Sequence, residues 1–90
     1  MTKKELSILN TNDWYECVGI IEKYWNDNYG TFNVEGKDGI QTLELTTGGW
    51  SENEEIINQL SDTFFWFLWW QESHRGGYYK FIYTGGIVDG

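Results

Sequence analysis

Phe64-Phe65-Trp66-Phe67-Leu68-Trp69-Trp70 is a run of seven residues without one polar side chain, and its reading decides the fold. A bilayer-spanning helix needs about 20 apolar residues, so this run cannot cross a membrane. Apolar at every position, it reads as a strand covered on both faces rather than one half open to water. Such a strand needs a helix or a partner on its second side. Working outward, Gln71 to Arg75 turns polar and Gly76-Gly77 reverses the chain. Tyr78 to Thr84 then alternates, with Tyr79, Phe81 and Tyr83 on one face and Tyr78, Lys80 and Ile82 on the other. The two segments form a hairpin.

Towards the N-terminus, Glu52 to Leu60 carries a narrow stripe of Ile56, Ile57 and Leu60, and Ser51 with Glu54 forms a capping box ahead of it. Before that helix, Thr31 to Glu35 and Ile40 to Thr46 alternate around a connection Gly36-Lys37-Asp38-Gly39, which makes a first hairpin. Trp14, Cys17, Val18, Ile21, Tyr24 and Trp25 recur at three- and four-residue steps, the period of a helix, with Thr11, Asn12 or Asp13 as its N-cap. A strand over Glu16 to Lys23 is the competing reading, which Gly19 and Cys17-Val18 favour. The order is α-β-β-α-β-β. This is an α+β chain with one four-stranded antiparallel sheet and two helices, a single domain over residues 1–90, with 1–12 and 85–90 as loose ends.

Composition narrows the function. Six Lys+Arg against fourteen Asp+Glu give a formal charge of -8, which argues against direct binding of nucleic acid through its phosphates. A basic partner protein fits that charge, and Glu16, Glu22, Glu44, Glu54 and Glu72 are among the acids that would face it. Six Trp, six Tyr and five Phe supply a large core for so short a chain. Cys17 is the only cysteine, so no disulfide closes within the chain; it reads as a small buried hydrophobe in a reducing compartment. With no signal-like N-terminus, the expected location is the cytoplasm. Exposed Trp and Phe would also favour a homo-oligomer.

Two motifs carry candidate binding chemistry. In Thr46-Thr47-Gly48-Gly49-Trp50-Ser51 the glycines allow close backbone approach, Trp50 offers a flat face, and a helix N-terminus follows. The same residues also read as a tight turn and cap, with Trp50 as a hydrophobic staple. In Ser73-His74-Arg75-Gly76-Gly77-Tyr78 stand the only histidine and the only arginine. Arg75 and His74 are donors suited to a phosphate or carboxylate, or Arg75 pairs with Glu72 at the surface. Should the motifs meet, Gly48, Gly49, Trp50, Ser51, His74, Arg75 and Tyr78 would line a small-ligand pocket. Ser51 or Ser73 with His74 lacks an orienting acid, and one His with one distant Cys has no metal-ligand spacing. No enzyme, metal or cofactor is implied.

The Leu45-to-Ser51 and Ser73-to-Phe81 motifs, with the Trp-rich run between them, resemble a group of small, largely uncharacterised proteins encoded by bacteriophages and prophages. The likeness covers roughly residues 30 to 83. That group carries a second arginine where His74 stands and a histidine where Tyr78 stands, so the match lies in Trp50, Ser51, Arg75 and the glycines. The resemblance implies an accessory, counter-defence role. One form would sequester a small anionic or nucleotide-like ligand; the other would inhibit a host defence protein or nucleic-acid-binding complex through the acidic surface, as anti-CRISPR proteins do.

Overall fold

The computed structural model describes residues 1–84. The elements are α1 (Lys3–Leu9), α2 (Trp14–Tyr24), β1 (Thr31–Lys37), β2 (Ile40–Thr46), α3 (Ser51–Leu60), α4 (Phe64–Trp69), β3 (Trp70–His74) and β4 (Tyr78–Tyr83). The four strands form one antiparallel sheet in the order β1-β2-β4-β3. The α+β class and the four-stranded antiparallel sheet are therefore as expected. The order of elements and the number of helices are not, because two further helices are present. Residues 85–90, expected to be loose, lie outside the described residues.

The main correction concerns the aromatic run. Phe64–Trp69 is a helix, and the second hairpin begins only at Trp70. A continuous apolar run is compatible with a buried strand or a packed helix, and periodicity alone does not separate them. Here tertiary contacts decide. Phe65 and Trp69, one helical turn apart, both reach Trp14 of α2, at ring-centroid distances of 5.6 and 5.4 Å. Phe65 also packs on Phe81 of β4 at 4.9 Å. The Asn10 side chain accepts a hydrogen bond from the Phe64 N–H at 3.1 Å, satisfying one of the free donors at the helix start. The polar stretch Gln71 to His74 then becomes the strand, with an irregularity between Trp70 and Glu72.

The first dozen residues, read as a loose end with a short packed turn at Leu6, Ile8 and Leu9, carry helix α1. Thr2 and Glu5 make a reciprocal capping box at the start of α1. The Glu5 carboxylate further accepts from Lys23 Nζ at 2.9 Å and from the Tyr24 hydroxyl at 2.6 Å, both at the end of α2. Leu9 is fully buried, and the Cys17 thiol donates to the Ile8 carbonyl at 3.3 Å. Helix α2 forms where the three- and four-residue period places it, with Asp13 as N-cap. At α3 the cap differs: Trp50 occupies the N-cap position and no side chain caps the helix, so the Ser51–Glu54 box does not form.

The β1–β2 connection is shorter than read, with Asp38 and Gly39 at φ 53° and 81° and Lys37 opposite Ile40. Two consecutive residues of positive φ make the type I′ turn that matches strand twist. Across the sheet, Phe32 opposes Leu45, Leu45 opposes Tyr79, and Leu43 opposes Phe81, so one face is apolar. Leu43, Leu45 and Phe81 join Leu9, Trp14, Cys17, Ile21, Ile56, Ile57, Leu60 and Phe65 in one core, to which all four helices contribute. The opposite face holds Thr42, Glu44, Thr46, Tyr78, Lys80 and Ile82, none of them buried.

Phe65→Ala should cost about 3–5 kcal/mol in urea unfolding, whereas Phe67→Ala, on the solvent side of the same helix, should stay within about 0.5 kcal/mol. The Thr2 backbone N–H, the Tyr24 hydroxyl and the Lys23 ammonium lower the Glu5 pKa from 4.5 to about 2. A depressed carboxylate stabilises the fold above its unfolded pKa and loses that effect as pH falls through the folded one. The melting temperature of the parent should therefore fall more steeply between pH 4.5 and 2 than that of Glu5→Gln.

Candidate functional site

The residues around Gly48 lie where β2 turns into α3. Gly48 and Gly49 have φ of 63° and 74°, and a side chain on Gly48 would collide with the Tyr29 carbonyl. Gly48 is thus required by the chain's own crossing at Tyr29-Gly30. Trp50 stacks on Tyr29 at 4.3 Å with 10° between the ring planes. Its indole N–H is buried without a partner among the described residues. Ser51 is exposed.

Beneath this turn lies a polar residue that the sequence reading missed. Asn53 is fully buried. Its carbonyl accepts from the Asn26 N–H at 2.9 Å, and its amide donates to the Asn26 and Thr47 carbonyls at 2.9 and 3.4 Å. It joins the end of α2 to the start of α3. Flanked by Glu52, Glu54 and Glu55 in a polar first turn, it gives no sequence signal of burial. Removing the amide strands the Asn26 N–H, while the Asn26 and Thr47 carbonyls keep the bonds they accept from the Gly30 and Trp50 N–H groups, so Asn53→Ala should cost about 1–3 kcal/mol in urea unfolding.

The second motif meets the first through the backbone. The Thr47 N–H donates to the Gly77 carbonyl at 3.0 Å, and a side chain on Gly77 would collide with Thr47. Thr46 pairs with Tyr78, and Tyr78 with His74, so both motifs share one end of the sheet. His74 and Tyr78 lie on the open sheet face and already hold carboxylates. The His74 imidazole is 2.7 Å from Glu72, and the Tyr78 hydroxyl donates to Glu44. That bond, with some desolvation, pushes the Tyr78 pKa up to about 12. Glu72 therefore pairs with His74 and, at 3.9 Å, with Lys80. Arg75 is exposed and makes no ion pair among the described residues.

A different surface stands out on α4. Phe64, Phe67 and Leu68 are 56%, 81% and 47% exposed, side by side on a helix with no charged residue. Two hollows flank the Phe64–Phe67 ridge. One, of about 320 Å³, is completed by Asn10, Ser61, Asp62 and Thr63; the other, of about 310 Å³, by Asn10, Thr11, Asn12 and Leu68. Read as a helix, the run Phe64 to Trp70 would have divided into an inward Phe65–Trp69 pair and this outward face. Buried Cys17, its pKa raised to about 11 chiefly by desolvation, is an unreactive thiol. Among the described residues no helix is long and apolar enough to cross a membrane, and no group of three His, Cys, Asp or Glu could hold a metal ion.

No family model, curated protein or solved structure matches the chain.

Proposed function

We propose that the protein is a non-enzymatic binding module that engages another protein through the apolar surface of α4. The observation that carries this reading is Phe67, 81% exposed between two further exposed apolar residues. Contiguous apolar patches rimmed by polar residues mark interaction sites on folded proteins. The phage resemblance supplies a setting, an accessory protein that blocks a host defence complex, and the charge of -8 suits a basic target.

A second reading, capture of a small anionic or nucleotide-like molecule at the Thr47–Gly77 junction, is favoured by Arg75, which has no ion pair among the described residues, and by the unpartnered Trp50 indole. Tyr29 already takes part of the Trp50 ring surface, and acids hold His74 and Tyr78. Those contacts place this reading second.

The test pairs two assays. Affinity capture from bacterial lysate should retain a protein on the parent that Phe67→Ser does not retain, while mononucleotides and cyclic dinucleotides leave the melting temperature unchanged. A nucleotide at about a hundred times its dissociation constant would add about 2.7 kcal/mol. Such a shift, abolished in Arg75→Ala and accompanied by capture indifferent to Phe67→Ser, would reverse the order of the two readings.

A further inference from the structure

Resting on the α4 reading, we infer that this surface takes a short basic segment of its partner, with large apolar anchors in the two hollows and a Lys or Arg at Asp62. Size gives the first reason. At 150–250 Å² per aromatic side chain, the exposed parts of Phe64, Phe67 and Leu68 amount to roughly 300–400 Å². A standard interface buries about 800 Å² on each partner, so this apolar surface alone falls well short of a stable dimer. It is enough for a segment that places one or two large side chains on either side of the Phe64–Phe67 ridge. The hollows share Asn10, Phe64 and Phe67, which makes them neighbouring subsites.

Charge gives the second reason and separates the possible occupants. The only charged residue lining either hollow is Asp62, and none of Lys3, Lys4, Lys23, Lys37, Arg75 or Lys80 lines them. The whole chain carries -8, so a second copy brings an equal like charge and an anionic lipid surface is repelled as well. A basic segment is attracted over several ångströms, and only at the rim does it meet the carboxylate. Asn10, Thr11, Asn12 and Ser61 are uncharged, so the rim they form holds no ion pair for the segment to displace.

The test uses two synthetic amphipathic peptides with the same Leu/Trp face, one with Lys and Arg on its polar face and one with Glu, titrated into the full chain and followed by amide chemical shifts. The basic peptide should move the signals of Asn10, Thr11, Asp62, Phe67 and Leu68, and bind at least tenfold more tightly than the acidic one. Phe67→Ser should weaken it at least tenfold with the melting temperature unchanged. Asp62→Asn should weaken it roughly two- to fivefold, as befits an exposed ion pair. Equal binding of both peptides at α4 would overturn the basic-segment inference while leaving α4 as the docking surface. Absence of shifts at α4, or shifts confined to the acidic start of α3, would overturn both. A mass that doubles with concentration in the parent and not in Phe67→Ser would make a second copy the occupant. Co-sedimentation with phosphatidylglycerol vesicles, lost in Phe67→Ser, would make it a lipid surface; either result overturns the inference.

Discussion

Trp14 is the residue on which the packing turns. Its ring stacks with Phe65 of α4 at 18° and with Tyr83 of β4 at 8°, and it receives the edge of Trp69 at 5.4 Å. One buried side chain on α2 thereby fixes the position of a second helix and of a central strand. Offset and edge-on arrangements of this kind add to the area term, since the edge of one ring meets the face of another. Helix α4 has six residues, too few to persist by its own hydrogen bonds, so its existence depends on this cluster and on Asn10 at its start. What α4 turns to solvent is therefore set by what Trp14 holds inside.

Much of the fold is legible in the sequence because it follows from period and turn chemistry. The alternation of Leu43 and Leu45, and of Tyr79, Phe81 and Tyr83, gives the strands of the sheet centre, and the three- and four-residue step from Trp14 to Tyr24 gives α2. The misread parts are those where period is silent. Every position of Phe64 to Trp70 is apolar, so no face is marked, and only the partners of Phe65 and Trp69 decide between helix and strand. Residues 1–12 look polar enough to fray, with only Leu6, Ile8 and Leu9 to form a short packed turn, yet Glu5 bonds three groups, one of them at each of positions 2, 23 and 24. A contact that spans nearly twenty residues leaves no trace in a local window.

The candidate binding residues show the same division. Gly48 suggests close backbone approach to a ligand, and Gly77 a reversal of the chain, when only sequence is in view. In the fold each faces another part of the chain, Tyr29 and Thr47 respectively, so chain crossing already explains why a side chain is excluded there. Gly49 and Gly76 face open space and owe their identity to positive φ alone. Asn53 accounts for much of the polar character of the same corner. It uses both ends of its amide to close the backbone between α2 and α3, so the corner's buried hydrogen-bonding capacity is largely spent internally.

Acidity and aromaticity, taken separately, each have an ordinary explanation: one keeps the chain dispersed and the other fills a small core. Their placement together is less ordinary. Evolution of a small domain ordinarily removes large apolar side chains from solvent, because an exposed Phe invites association without stabilising the fold. Here Phe67 is more exposed than any other large apolar residue described, on the same short helix whose Phe65 is fully buried. Stability does not require Phe at that position, since the side chain has little to pack against. Like charge on every copy opposes self-association through such a surface, so under the proposed reading the charge and the ridge are compatible features of one chain. In that proposal the charge would act on encounter over distance and the ridge at contact, and that ordering is why the two features are read as parts of one surface.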